Sequence, residues 1–292
     1  MKNIKLFKYL LQYIIIFFII FKKKIKITTI KGNIKEKQNN KALYYLYKEK
    51  NNLISLNSIK KLKKVVYSIL LGKYDKIRPF NLQKGFDFVL FTDNSNINYN
   101  ETNWTIFSLP NELKYLNISR VKKQRFIKLH PHLYFKNYSL SIYIDASFQI
   151  KGDLNEFLLR ILSKKYNIYT FEHPKRNKIM QETFAVVKDR KENQNMSKLI
   201  RERYKKEHFP DNNGLIESCL IVRKHNEKEV IDNMEKWFEE IEKYSHRDQL
   251  SFNYIIWKTG LKLKYISKIF TMNYFKKYKH IENSSSKNTL KN

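Results

Sequence analysis

The sequence predicts an α/β fold, in which a mixed but mostly parallel sheet is flanked by helices in a single main domain. Short β-branched and aromatic segments alternate with longer helical segments through most of the chain. Such alternation is typical of strands joined by helical crossovers, which build a parallel sheet. The composition agrees, because 42% hydrophobic and 15% aromatic residues suit a folded chain of 292 residues.

The predicted elements follow one another in this order of strand and helix. Strands are expected at 65–70, 86–91, 104–107, 141–144, 168–171 and 218–222, and helices at 119–129, 154–162, 182–206, 227–241 and 247–257. Each strand is a short run rich in β-branched and aromatic residues. Turn-forming residues separate the elements, such as Gly72 after the first strand and Gly152 before the helix at 154–162. The helical segments are longer, and in the last of them Leu250, Tyr254 and Trp257 recur with helical spacing, which is typical of a face that packs on a core.

Basic residues are concentrated at the two ends of the chain. Of the formal net charge of +31, residues 1–64 contribute +15 and residues 258–292 contribute +8, which leaves +8 for residues 65–257. Lysine supplies 48 of the 58 basic residues, as in proteins from AT-rich coding sequences. A basic nucleic-acid-binding protein is therefore only an alternative, because the central region is modestly charged and carries no zinc-finger or RNA-recognition motif. We expect no nucleic-acid partner.

Residues 1–25 are predicted to associate with a membrane. An apolar run at 9–21 lies between lysines on both sides, and it is shorter than the roughly 20 residues of a typical spanning helix. A short single-pass type II anchor and an interfacial helix both fit this pattern, and the lysines that follow favour the cytoplasmic face of the inner membrane. We expect a polar connector rich in Lys and Asn at 26–63, the main domain at 64–270 and a basic polar tail at 271–292.

The strand predicted at 141–144 ends in Asp145, Ala146 and Ser147. In open α/β sheets, ligands bind beyond the carboxyl ends of the strands, so a carboxylate there can meet a diphosphate–metal complex or a sugar hydroxyl. Aspartate is also common at turns because of its local hydrogen bonds, so Asp145 alone does not separate a ligand site from a turn.

Several short motifs together resemble one protein family. They are Tyr74-Asp75, Phe91-Thr92-Asp93, Arg120 with Arg125 and Lys128, Tyr143-Ile144-Asp145, His173–Arg176, Asn213–Glu217, Trp237 and Arg247–Phe252. In this order and spacing they resemble the glycosyltransferase-like domain shared by bacterial polysaccharide-locus proteins and by plant mucilage-related and turgor-regulation proteins. The resemblance covers about residues 64–266. It implies a GT-A-like fold with a Rossmann-type nucleotide-binding sheet, and transfer of a sugar from a nucleotide-sugar donor to a hydroxyl of a surface glycan or glycolipid.

The resemblance also implies roles for individual residues. The donor-binding candidates are Asp93, Arg120, Arg125, Lys128, Asp145 and Ser147, the substrate-binding candidates are His173, Arg176, Glu182, Arg247 and Gln249, and the catalytic candidates are Asp248 and Glu217. Arg120, Arg125 and Lys128 would offset the charge of the leaving diphosphate, although basic residues on a helix commonly face solvent. Glu182 would equally well complement the positive end of a helix dipole.

The donor site departs from the usual Asp-x-Asp motif, since the chain has Asp145-Ala146-Ser147. One carboxylate and one hydroxyl are a small ligand set for Mn²⁺ or Mg²⁺, so Asp145 is a candidate metal ligand and metal dependence is left open. The alternative within the family is a lipid-amide hydrolase similar to a ceramidase, which would need a water-activating metal site.

Two further patterns have mainly structural interpretations. Ser245 and Asp248 match the spacing of a capping box, in which both would stabilise the start of a helix. Cys219 is the only cysteine and precedes Leu220-Ile221-Val222, so we expect an inert buried thiol.

Overall fold

The computed structural model describes residues 54–72, 75–94, 102–267 and 271–279. Its strands are β1 (Lys64–Leu70), β2 (Phe86–Thr92), β3 (Thr105–Ser108), β4 (Leu140–Ile144), β5 (Phe148–Ile150), β6 (Ile168–Glu172), β7 (Ile216–Arg223), β8 (Leu263–Ile266) and β9 (Phe275–Lys277). Its helices are α1 (Leu56–Lys61), α2 (Asn111–Lys114), α3 (Arg120–Leu129), α4 (Pro131–Tyr134), α5 (Leu154–Ile161), α6 (Ile179–Lys188), α7 (Gln194–Lys206), α8 (Lys228–Lys243) and α9 (Phe252–Thr259), with a 3₁₀ turn at Asp248–Leu250.

Seven strands form the central sheet in the order β3-β2-β1-β4-β7-β6-β8. The pairs β1–β2, β1–β4, β2–β3 and β6–β8 are parallel, whereas β7 runs antiparallel to both β4 and β6. The predicted fold class, a mixed and mostly parallel sheet flanked by helices, is therefore confirmed. Strands β5 and β9 form a separate antiparallel pair.

Two apolar cores cover the two faces of the sheet. Along β1, Val65 and Tyr67 contribute to one core and Val66 to the other, because successive side chains of a strand point to opposite faces. The first core also takes residues of α3, α8 and α9, and the second takes residues of α1 and α5. Strand β1 is buried along its whole length, as expected for a central strand of a parallel sheet.

The helical region predicted at 182–206 consists of two helices in the structure. Helix α6 ends at Lys188, Arg190 adopts a positive φ of 54°, and Asn193 starts α7 by accepting a hydrogen bond from the Met196 amide at 2.7 Å. Asparagine is among the best N-cap residues. The side chain of Asn193 therefore starts a new helix within a segment whose polarity pattern is continuous.

The predicted helix at 247–257 is also divided, into the 3₁₀ turn at Asp248–Leu250 and helix α9. Leu250 and Tyr254 are buried and Trp257 packs against the same core, which confirms the predicted core face. Cys219 is buried, as expected. Helices α1, α2 and α4 and strands β5, β8 and β9 were not predicted, because short elements carry too little sequence periodicity.

No helix among the described residues is both long and apolar enough to span a membrane. The apolar run at 9–21, the residue Tyr74 and most of the predicted connector and tail lie outside the described residues.

Candidate active site

One edge of the sheet collects most of the predicted site residues. Strands β2, β4 and β6 end at this edge, and Asp93, Asp145 and His173 follow them directly. Because β7 is antiparallel to β4 and β6, its first residues lie at the same edge, and Glu217 is the second residue of β7. This is the edge at which ligands bind in open α/β sheets.

Asp145 combines the two roles that the sequence left open. Its main-chain N–H donates to the Cys219 carbonyl at 2.9 Å and its main-chain oxygen accepts from the Phe148 amide at 2.9 Å, so the residue does form a turn. The residue is half-buried, and its carboxylate accepts a hydrogen bond from the Tyr143 hydroxyl. Gln124 Nε2 donates in turn to that hydroxyl at 2.7 Å. A neutral donor thus orients the carboxylate of a residue that is partly exposed.

Lys128 and Asp248 form a buried ion pair, with 2.7 Å between Lys128 Nζ and Asp248 Oδ2. Ser218 completes a triangle, since its hydroxyl accepts from Lys128 Nζ at 3.0 Å and donates to Asp248 Oδ2 at 2.9 Å. Arg125 Nε lies 3.3 Å from the same carboxylate oxygen. The carboxylate therefore has two cations and a hydroxyl around it.

These partners set the protonation state of the pair. Burial by itself raises the pKa of Asp248, but the charges of Arg125 and Lys128 outweigh it and hold that pKa well below its ordinary value. Burial lowers the pKa of Lys128, and the nearby Asp248 carboxylate opposes that effect. A carboxylate stabilised in this way is a weak base.

Arg125 joins the two groups into one network. Its guanidinium donates to Gln124 Oε1 and also lies beside Asp248, so hydrogen bonds and ion pairs run from Asp145 through Tyr143, Gln124 and Arg125 to Asp248. The sequence did not reveal Tyr143 or Gln124 as members. Tyr143 belonged to the Tyr143-Ile144-Asp145 motif but no role followed for its side chain, and the only signal for Gln124 was its position one helical turn before Lys128 on the same face.

Helix α3 has five basic residues, and the three that are donor-binding candidates lie in different environments. Ser119 caps the helix by accepting from the Lys122 amide at 3.3 Å. Arg120 in the first turn is 73% exposed in its side chain, Arg125 is mostly buried, and Lys128 in the last turn is fully buried. Of these three residues, only Arg120 faces solvent, as basic residues on a helix commonly do.

Arg120 forms a second, separate pair with Asp93, with 3.1 Å between Arg120 Nε and Asp93 Oδ2. The other carboxylate oxygen of Asp93 accepts from the Gly72 amide at 2.7 Å. Gly72 has a φ of +83°, which a side chain would strain, so the turn after β1 is shaped to reach Asp93. The pair links the ends of β1 and β2 to the start of α3.

The substrate-binding candidates His173, Arg176 and Glu182 form a third group. Glu182 is buried, its carboxylate contacts Arg176 Nε, and His173 Nε2 lies 3.7 Å from it. His173 Nδ1 accepts from the Arg176 amide at 3.0 Å. Glu182 therefore does more than complement a helix dipole, because it holds two side chains of the preceding loop.

Glu217 and the segment around Asp248 complete the edge. Glu217 Oε1 lies 2.8 Å from Lys277 Nζ. Gln249 Nε2 donates to the Ile216 carbonyl at 3.1 Å, and Arg247 Nε is buried without a hydrogen-bond partner among the described residues. Asp248, through Ser218, and Gln249 thus lie against the start of β7.

The predicted capping box at Ser245 and Asp248 is wrong. The Ser245 hydroxyl accepts from the Arg247 amide at 3.0 Å and donates to Glu192, while Asp248 turns its carboxylate to Lys128. Asp248 begins a 3₁₀ turn for which no side chain provides a cap. A buried lysine binds a carboxylate more strongly than an exposed main-chain amide does. The contact of Asp248 with Lys128 therefore replaces the predicted contact with the Ser245 amide.

Arg78 is a further residue of the site that the sequence did not reveal. Its guanidinium donates at 3.0 Å to the Ala146 carbonyl and at 3.0 Å to Asp75, and it stacks on Tyr278 at 4.2 Å. It therefore supports the turn that holds Asp145.

Ser147, in the same turn, is fully buried, and its hydroxyl has no hydrogen-bond partner among the described residues.

Comparison with known proteins gives one family. Residues 20–283 match the family model of the TOD1/MUCI70 glycosyltransferase-like domain. No curated protein matches the chain.

Several solved structures are distantly similar. The bifunctional glycosyltransferase WbbM has 10% identity and a TM-score of 0.42, with 70% of this chain and 39% of that chain covered, so this chain spans well under half of its length. Mouse xyloside xylosyltransferase 1 has 9% identity and a TM-score of 0.40, with 70% and 85% covered. The galactosyltransferase LgtC has 9% identity and a TM-score of 0.37, with 69% and 72% covered.

Replacing Asp248 with asparagine should lower the free energy of unfolding at pH 7 by about 3–5 kcal/mol, because Lys128 would lose its buried ion-pair partner. Urea denaturation of both proteins measures this loss. The matched control is Asp232→Asn, which removes an exposed carboxylate paired with Lys228 and should have little effect.

The same pair of proteins gives a pH test. The pKa of Asp248 is depressed in the fold relative to its ordinary value of 3.8, so its contribution to stability is complete above that value and is lost as the pH falls toward the folded-state pKa. The difference in unfolding free energy between wild type and Asp248→Asn should therefore narrow below about pH 4. A difference that stays constant down to pH 3 would show that the charge of Asp248 is not what the fold uses.

Proposed function

Because the chain belongs to the TOD1/MUCI70 glycosyltransferase-like domain family, we propose that it transfers a hexosyl or related sugar from a nucleotide-sugar donor to a hydroxyl of a surface glycan or glycolipid. The observation that best supports this proposal is the accessible Asp145 carboxylate at the carboxyl end of β4, held by Tyr143 beside the basic helix α3. Synthesis of surface polysaccharides is the setting that this reaction suits.

In the proposed reaction, the oxygen of the acceptor hydroxyl bonds to the anomeric carbon of the sugar. The bond from that carbon to the diphosphate oxygen breaks, and the nucleoside diphosphate leaves with the negative charge. Arg120 is the basic residue of α3 with an exposed guanidinium, so we assign it to the leaving diphosphate, with Asp93 orienting it. Asp145 faces the donor sugar or its diphosphate.

The two carboxylates considered for the acceptor side differ in environment. Asp248 is buried, ion-paired and a weak base, so we assign it with Lys128 to positioning of Arg125 and of the loop around Arg247. Glu217, at the start of β7, is also ion-paired, but its partner Lys277 is 47% exposed in its side chain, so solvent screens this pair more than the buried one. We therefore assign Glu217 as the base that takes the acceptor proton. The group of His173, Arg176 and Glu182 lies at the same edge and is assigned to hydroxyls of the acceptor or donor sugar.

A divalent ion would find few protein ligands near Asp145. No group of three His, Cys, Asp or Glu side chains among the described residues is arranged to hold a metal. Mg²⁺ is commonly held by one or two carboxylates together with substrate phosphates, so Asp145 with the donor diphosphate is a sufficient set for Mg²⁺ or Mn²⁺. When bound, such an ion would offset the charge of the diphosphate.

A panel of nucleotide sugars tests the proposal. The purified full chain is incubated with each donor, with Mn²⁺ or with a chelator, and binding is followed by calorimetry and sugar release by mass spectrometry. We expect one donor to bind and turn over. Release of a fatty acid from ceramide, or tight binding of RNA, in a protein that binds no nucleotide sugar would instead favour the hydrolase or the nucleic-acid-binding alternative.

Asp145→Asn should reduce transfer by about 10²–10⁴-fold, because it removes the negative charge that the donor complex or a metal would meet. The melting temperature should change little, since an amide oxygen can still accept from Tyr143. Initial rates at saturating donor and a melting curve measure the two effects, with Asp232→Asn as the surface control. A lower melting temperature with unchanged turnover per folded molecule would make Asp145 a turn former only.

We also propose that residues 1–25 hold the protein at the cytoplasmic face of the inner membrane, either as an interfacial helix or as a type II anchor. Deleting them should move the protein from the membrane to the soluble fraction and leave cooperative melting intact, because a polar connector separates them from the first strand. Fractionation in high salt measures the change. A truncated protein that no longer melts cooperatively would place this segment in the folded core.

A further inference from the structure

The connection between α2 and α3 exposes large apolar side chains beside basic ones. We refer to residues 114–121 as the 114–121 patch. Within it Tyr115 is 80% exposed, Leu116 is 48% exposed and Val121 is 41% exposed. Scattered exposed apolar residues are normal, but here three of them lie within seven positions of one short connection, and a cluster of exposed apolar residues is a feature of interaction sites.

The patch lies at the same edge of the sheet as the candidate active site. Leu109, which follows β3, donates its amide to the Thr92 carbonyl at the end of β2, at 2.9 Å. Eleven positions further on, Arg120 contacts Asp93, which also follows β2. Leu109 and Arg120 therefore both lie at the end of β2, and most of the patch belongs to the segment between them.

The patch is positively charged. Residues 114–121 contain the basic residues Lys114 and Arg120 and no acid, and Lys122 and Lys123 follow directly. Lys123 Nζ donates to the Lys114 carbonyl at 3.1 Å and Lys114 Nζ lies 5.7 Å from the Tyr115 ring centroid, which keeps basic and aromatic groups together.

This combination matches the chemistry of an anionic bilayer surface. Lysine and arginine are attracted to anionic headgroups, and tyrosine is enriched at the level where headgroups meet acyl chains. A second copy of the chain fits less well, because the patch would bring like charges together in a protein of net charge +31.

We propose that the 114–121 patch lies in the headgroup layer of an anionic bilayer and turns the donor-site edge of the sheet toward the membrane, so that the acceptor is a glycolipid whose headgroup projects from that bilayer. This inference rests on the proposed function for the transfer itself. It does not depend on residues 1–25, which would tether the protein, whereas the patch would orient the site.

The single native cysteine permits a direct test in the full chain. Cys219 is buried, so a cysteine introduced at an exposed position is selectively labelled with a fluorophore that responds to polarity. Tyr115→Cys carries the label in the patch. Leu82→Cys is the matched control, because Leu82 is 66% exposed and lies four residues before β2, at the opposite edge of the sheet.

Vesicles of phosphatidylcholine with phosphatidylglycerol should shift the emission of the Tyr115→Cys label to shorter wavelength, and headgroup-level nitroxide lipids should quench it. The Leu82→Cys label should not respond, and vesicles of phosphatidylcholine alone should have a weaker effect. In a second measurement, Tyr115→Ser with Leu116→Ser should lower the rate with a vesicle-bound glycolipid acceptor about tenfold. The rate with the soluble headgroup of the same acceptor should be unchanged.

The outcomes separate this inference from the proposed function. No response of the Tyr115→Cys label, in a protein that still turns over a nucleotide sugar, would overturn the membrane surface alone. A response of the label in a protein without any transfer would overturn the proposed function and leave a membrane-binding surface. Equal responses at Tyr115 and Leu82, or a response to RNA or to higher protein concentration without lipid, would also overturn the inference.

Discussion

The buried ion pair between Lys128 and Asp248 is the interaction on which the site depends. It joins the last turn of α3 to the segment after α8, and Ser218 adds β7 to the same point. Trp237 strengthens the junction, since its indole N–H donates to the Asp248 carbonyl at 3.0 Å. Removing two charges from water is costly, and here the cost is offset because each charged group has an opposite charge and further hydrogen bonds. The pair therefore fixes which segments meet at the active edge.

From this pair, charged residues of the site separate into two kinds. The buried ones, Lys128 and Asp248, bind each other and Ser218. The accessible ones, Arg120 and Asp145, keep part of their charged groups toward solvent. Arg125 and the hydrogen bonds through Gln124 and Tyr143 connect the two kinds. Binding sites in general gain precision when a rigid inner set of residues orients the residues that meet the ligand, and the arrangement here has that form.

The reversed direction of β7 has an equally large effect on the site. A parallel β7 would place Glu217 at the far edge of the sheet, away from Asp145. Because β7 is antiparallel to β4, its first residues, Ile216 to Ser218, lie beside the end of β4. The edge thus receives carboxylates from the ends of β2 and β4 and from the start of β7. Opposite them, the basic helix α3 begins at this edge, so both charge signs are available there for a charged ligand.

The sequence by itself determined the fold class, the order of the main strands and helices, the family and the identity of most charged residues at the edge, because these depend on local periodicity and on motifs that lie along the chain. Strand ends such as Asp93 and Asp145 could be found in this way. Only the tertiary structure decided which charges pair: Asp248 contacts Lys128, 120 positions away, rather than capping its own turn with Ser245. It also decided the direction of β7 and the roles of Tyr143, Gln124 and Arg78. The reason is physical, since the strength of a charge or a hydrogen bond is set by burial and by the partners brought in from distant segments, and neither is encoded in local spacing.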